Sequence, residues 1–153
     1  MIDHIAYPSF DAAETHRFYT DVLGAQLKAA SSGQSATWNA LYLLAAYELE
    51  GAELDFFSFA GIVRPPADGL PEDIRHVGIT VATAAELARM RARLDAHAAS
   101  YWVERHDGDE GEHVYVRDPN GLVIEFSVVE APYAVRADAI EVVERWIAAS
   151  TRA

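Results

Sequence analysis

Three side chains carry the strongest chemical signal in this chain: His4, His76 and Glu125. The two histidines lie in short runs rich in β-branched and aromatic residues, IDHIAY over 2–7 and IRHVGITV over 74–81, and both runs read as strands. Glu125 sits inside the apolar run Leu122-Val123-Ile124-Glu125-Phe126. A carboxylate in such a run is costly unless it is paired or holds a cation. Two imidazoles and one carboxylate, with positions left open for water or substrate, form a set suited to Fe(II) and similar divalent ions. Taken singly, each has a plainer reading. A strand histidine is usually a core or edge residue, and Glu125 could pair with an arginine.

A second carboxylate is available in Glu53-Leu54-Asp55-Phe56-Phe57. Glu53 and Asp55 are two residues apart, so on a strand they share a face. Only one of them is expected to reach a cation. Matching Asp55-Phe56 to Glu125-Phe126 favours Asp55.

The elements that must position these residues repeat. From His4 to Asp11 is seven residues (11 − 4), and from His76 to Thr83 is seven (83 − 76). From His4 to Glu14 is ten (14 − 4), and from His76 to Glu86 is ten (86 − 76). Asp11 with Glu14, and Thr83 with Glu86, have the spacing of a capping box, in which two side chains satisfy free N–H groups at a helix start. The first helix carries Phe18, Tyr19, Val22 and Leu23 as an apolar face and ends at Gly24 as a C-cap. Strands follow over 25–30 and 36–46, with Ser31-Ser32-Gly33 as the turn between them, and then over Glu53 to Phe59. The second unit predicts a helix over 84–98 and strands near 100–105, 113–117 and 122–129.

Each unit therefore reads β-α-β-β-β. The expected fold class is α+β: one domain of two tandem βαβββ modules, 1–60 and 74–129. Residues 61–73, with three prolines and two glycines, link them. Over 138–149, Ile140, Val143 and Ile147 fall at helical spacing and predict a C-terminal helix. Paired by a pseudo-two-fold axis, the first strands would bring His4 and His76 together from opposite sides. Trp38 and Trp102 read as core residues, with a pocket wall as the alternative. His16 and His113 carry no functional argument.

The chain has no cysteine, which excludes disulfides, zinc–thiolate sites and thiol nucleophiles. Its formal charge of −12 disfavours nucleic acid and anionic membranes as partners. No apolar stretch approaches the roughly 20 residues of a membrane span. The start Met1-Ile2-Asp3-His4 lacks the basic and apolar regions of a signal peptide, so a cytoplasmic location is expected.

Several motifs in this order resemble the vicinal oxygen chelate superfamily of glyoxalases, fosfomycin and bleomycin resistance proteins, methylmalonyl-CoA epimerase and extradiol dioxygenases. They are Asp3-His4-Ile5, Phe18-Tyr19-Thr20-Asp21-Val22-Leu23-Gly24, His76-Val77-Gly78-Ile79, and Tyr115-Val116-Arg117-Asp118-Pro119-Asn120-Gly121 leading to Glu125-Phe126. The resemblance covers residues 2 to about 129. It implies a cupped mixed sheet around one divalent ion (Fe2+, Ni2+, Co2+, Zn2+ or Mn2+). It places His4, His76 and Glu125 as ligands, with a variable ligand near Asp55.

The implied chemistry is Lewis-acid stabilisation of an enediolate on a small substrate with two adjacent oxygens. In the isomerase and lyase branch Asp55 would be the base. Pro8 and Phe59 stand where glyoxalase I carries an arginine and an asparagine, which argues against a glutathione adduct. The ring-cleaving dioxygenase pattern is followed in part by His106, Val114-Tyr115, Asp118-Pro119, Gly121 and Glu125. His106 and Tyr115 are therefore further catalytic candidates, and the solvated end of a strand is the plainer place for His106. A metal-free drug-binding protein is a third possibility. These folds often pair, so a homodimer is expected, and the C-terminal helix could pack across a subunit.

Overall fold

The computed structural model describes residues 2–71, 74–105, 111–128 and 137–150. The same run of elements occurs twice. The first unit comprises β1 His4–Pro8, α1 Ala12–Arg17, β2 Gln26–Ser35, β3 Ala40–Leu49 and β4 Ala52–Phe59. The second comprises β5 His76–Val81, α2 Ala84–Ala96, β6 Tyr101–Glu104, β7 His113–Arg117 and β8 Val123–Val128. A last helix, α3 Ala139–Ser150, follows. Each unit makes a four-stranded mixed sheet, ordered β1-β4-β3-β2 and β5-β8-β7-β6. The first strand of each pairs parallel with the last, and the other pairings are antiparallel. The fold is thus two tandem βαβββ modules with a C-terminal helix. No helix among the described residues is long and apolar enough to cross a membrane.

Both capping boxes form. The Glu14 amide donates to Asp11 Oδ1 at 2.9 Å, and the Glu86 amide donates to Thr83 Oγ1 at 3.2 Å. Past Arg17 the first helix widens, and Phe18–Leu23 winds as a π-helix before Gly24 ends it at φ +79°. Glycine suits that left-handed position because it has no Cβ to clash.

One turn moves. Ser31, Ser32 and Gly33 lie inside β2, paired with Leu44, Leu43 and Tyr42. The reversal comes at 36–39, where Asn39 takes φ +48° and Ser35 Oγ accepts from the Trp38 amide. β2 is an exposed edge strand, so it lacks the alternation that would have distinguished it from a turn.

The core is continuous across the modules. Tyr19, Leu23, Tyr47, Leu54 and Phe56 of the first unit pack in one cluster with Ile79, Leu87, Leu94, Val114, Ile124 and Phe126 of the second. Burying aliphatic and aromatic side chains on this scale supplies the main drive to fold.

Polar contacts at both ends of the first helix join the modules. The turn Asp118-Pro119-Asn120-Gly121 reaches the first helix: Asn120 Oδ1 accepts from the Phe10 amide at 2.9 Å, and Asn120 Nδ2 donates to Thr15 Oγ1 at 3.0 Å. At the other end of that helix, Arg93 of α2 donates to the carbonyls of Val22 (2.8 Å) and Asp21 (2.8 Å). A cation at a helix C-terminus also meets the negative end of the helix dipole.

Candidate metal centre

The ladder register sets the site. In the first sheet His4 lies opposite Glu53, and Ala6 lies opposite Asp55. In the second sheet His76 lies opposite Val123, and Gly78 lies opposite Glu125. Asp55 and Glu125 therefore hold the same station, across from the residue two places after the first-strand histidine. Alternation does the rest. Leu54 and Phe56 enter the core, so Glu53 and Asp55 project from the opposite face. Ile124 and Phe126 enter the core, so Glu125 does likewise.

On the first sheet, His4, Glu53 and Asp55 each bring one potential ligand atom within 4.8 Å of the other two. Asp55 is flanked in the ladder by Ala6 and Ala46, whose methyl groups offer no hydrogen bond. Its Oδ1 is buried and, among the described residues, has no hydrogen-bond partner. A buried carboxylate oxygen without a donor calls for an explanation, and a bound cation supplies one. His4 is half exposed, with Nδ1 3.2 Å from Asp3 Oδ2. That contact, with the negative charges of Asp55, Asp3 and Glu53, holds the His4 pKa above its ordinary value.

On the second sheet, the Glu125 carboxylate is gripped on both sides. His76 Nε2 lies 2.7 Å from Oε2, and His113 Nδ1 bonds to Oε1. Tyr115 stands edge-on to His76, with ring centroids 5.8 Å apart, and Trp102 stacks on Tyr115 at 5.3 Å. His113 is a neighbour of Glu125 for which the sequence alone offers no functional argument. It sits two residues before Tyr115 on β7, and Tyr115 lies opposite Glu125, so period-2 alternation puts His113 on the Glu125 face.

The histidines and carboxylates thus form two sets. His4 meets Asp55 and Glu53, while His76 meets Glu125 and His113. Among the described residues, no trio of ligand atoms drawn from both sheets lies mutually within 4.8 Å. Both Glu53 and Asp55 reach the first set, where the sequence favoured Asp55 alone. His106 lies outside the described residues. Trp38 is no core residue, being 51% exposed on the β2–β3 turn.

Beneath the second set, Asp118 is nearly buried and serves the fold. Its Oδ1 accepts from the amides of Asn120 and Leu122, both at 2.8 Å, and its Oδ2 accepts from Tyr19 at 3.2 Å. Burial raises the Asp118 pKa, and these hydrogen bonds pull against that.

The sequence model of the Glyoxalase/Bleomycin resistance protein/Dioxygenase superfamily matches residues 1–126. The chain belongs to that superfamily. Members are often metal-dependent enzymes on small molecules. A glyoxalase family protein from Enterococcus faecalis superposes with a TM-score of 0.62 at 20% identity, covering 83% of this chain and 96% of that one. Lactoylglutathione lyase from Agrobacterium tumefaciens gives 0.60 at 20% identity, covering 84% and 92%. A variant of the fosfomycin resistance protein FosX from Listeria monocytogenes, complexed with Mn(II) and 1S,2S-dihydroxypropylphosphonic acid, gives 0.59 at 15% identity, covering 84% and 92%. At these identities the likeness is one of fold. No curated protein matches the chain significantly. The superfamily match ends at residue 126, before α3.

Proposed function

We propose that the protein is a divalent-metal-dependent enzyme that moves a proton on a small substrate bearing two adjacent oxygens, an isomerase or lyase of the glyoxalase kind. The observation that carries this reading is the unpartnered Oδ1 of Asp55, set beside His4 and Glu53. The donors fit a cation: imidazole nitrogens and carboxylate oxygens suit Fe2+, Ni2+, Co2+, Zn2+ and Mn2+ alike. His4, Asp55, His76 and Glu125 would hold it, and when bound it supplies Lewis acidity to the two substrate oxygens.

The chain's own groups do the rest. Asp55 offers two carboxylate oxygens, so that with Oδ1 on the cation the other can take a proton from the substrate carbon and return it to the neighbouring carbon. His113 keeps Glu125 from rotating by holding Oε1, which leaves Oε2 turned toward His76. Tyr115, backed by the stacked Trp102 ring, stands edge-on beside His76. A FosX variant has been seen with Mn(II) and 1S,2S-dihydroxypropylphosphonic acid, a vicinal diol, which agrees with a substrate of this class.

The two half-sets are joined, in this reading, in a homodimer, with His4 and Asp55 of one copy facing His76 and Glu125 of the other. Mixing His4→Ala and Glu125→Gln proteins, each unable to bind metal, tests it. A mixed dimer contains one intact site, so metal binding returns to up to half the sites. If each site belongs to one chain, mixing restores nothing. An oxygen electrode separates the reactions: iron with oxygen uptake on catechols selects ring cleavage, whereas nickel, cobalt or zinc without uptake selects the isomerase or lyase.

A further inference from the structure

On β4 the face that carries Glu53 and Asp55 continues through Phe57 and Phe59, and on β1 the face that carries His4 continues through Ala6 and Pro8. Ala6, Tyr7, Pro8, Phe57, Phe59 and Trp38 line an open slot of about 310 Å³ there. The Phe57 and Phe59 rings lie parallel, at 9° with centroids 6.3 Å apart. Trp38 stands nearly perpendicular to both, at 75° to Phe57 and 80° to Phe59, with centroids 5.8 and 4.8 Å away. The three rings form an aromatic corner at the slot.

We propose that this corner is the specificity pocket of the metal site, and that it takes a planar aromatic group carried by the same molecule whose adjacent oxygens meet the metal. The proposal rests on the metal reading above.

A flat ring can stack on the phenylalanines and meet Trp38 edge-to-face at once, the two arrangements aromatic pairs prefer. Among the described residues, no charged side chain lines the slot. An anionic tail such as a phosphonate or a peptide carboxylate would lose its water there and gain no partner. Two residues along a strand span about 7 Å, so a ring one to two bonds from the chelating oxygens reaches Phe57. The ladder neighbours of Asp55, Ala6 and Ala46, carry only methyl groups. Pro8 and Phe59, which argue against a glutathione adduct, belong to the wall of this pocket or sit at its edge.

The test uses the full-length protein and two readouts. Calorimetry on manganese-supplemented protein compares naphthalene-2,3-diol, a chelator with a ring, with glycolate, a chelator without one. The ring-bearing probe is expected to bind at least about tenfold tighter. Trp38→Ala, at an exposed turn residue, should lower that affinity ratio several-fold, and Trp38→Phe should restore part of it.

Equal affinities in the wild type, or a ratio untouched by both Trp38→Ala and Phe59→Ala, would overturn the proposal. In metal-free protein, the fluorescence anisotropy of 2-naphthol reads the pocket alone. A rise that Trp38→Ala abolishes supports the pocket even if manganese never binds, in which case only the metal reading fails. No rise in the wild type counts against the pocket itself.

Discussion

Asp55 and Glu125 stand at the same station of two separate sheets, each across a parallel ladder from a residue with little or no side chain, Ala6 in one case and Gly78 in the other. Their surroundings then diverge. Glu125 has a histidine on each oxygen, while Asp55 keeps one buried oxygen with no donor. The first is a carboxylate already oriented. The second keeps an oxygen that no donor among the described residues reaches. Sites built for a ligand commonly hold such local strain at the expense of stability.

That contrast gives the first prediction. In metal-free protein, Asp55→Asn should leave the melting temperature unchanged or raise it, because it removes an unpartnered charge beside Glu53. The same change should abolish the stabilisation that added Mn2+ or Ni2+ gives the wild type. Thermal unfolding with and without metal reads both effects.

At Glu125 the sign reverses. His113→Phe leaves Oε1 buried without its donor, which costs about 1–3 kcal/mol in stability. Chemical denaturation of the metal-free protein measures it. Metal affinity should also fall by about 10–100-fold, the usual effect of removing a group that orients a ligand.

The lock between modules makes a third prediction. A Cβ at Gly24 would lie 2.8 Å from the Arg93 guanidinium carbon, on a backbone with φ +79°. Gly24→Ala should therefore destabilise by about 1–2 kcal/mol from the left-handed backbone alone. Displacing Arg93 from the carbonyls of Val22 and Asp21 would add to that. Urea denaturation of Gly24→Ala and Arg93→Ala, singly and together, should show the two changes to be non-additive.

Burial, helped by the Asp118 charge and hydrogen bond, raises the Tyr19 pKa well above its ordinary value. The folded state thus keeps a proton that the unfolded chain releases near pH 10. The stability tied to this proton is complete below about pH 10 and is lost as pH rises above it, by at most about 1.4 kcal/mol per pH unit. Tyr19→Phe should show a shallower alkaline decline than the wild type in denaturation series from pH 8 to 11. Part of the decline will remain, since burial also raises Tyr47.

Much of this was legible in the sequence because it depends on local spacing. Asp11 with Glu14 and Thr83 with Glu86 set the helix starts, and the equal intervals from His4 and His76 gave the repeat. The match of Asp55 to Glu125 was readable because both precede a phenylalanine that enters the core. What escaped depends on pairing between strands. Ser31-Ser32-Gly33 has turn composition, yet its backbone is taken up by β3. His113 reaches Glu125 only through the β7–β8 register, which no single stretch of sequence contains. Nor does spacing say whether the two histidine sets meet within one chain.

The central claim is that His4, Asp55, His76 and Glu125 hold a divalent ion. The direct measurement is elemental analysis of the full-length protein after equilibration with Fe2+, Mn2+, Co2+, Ni2+ or Zn2+ and removal of free metal. The account predicts about one ion per chain in the wild type and a near-total loss in both His4→Ala and Glu125→Gln. A wild-type protein that takes up none of the five metals, or variants that retain the full amount, would contradict it.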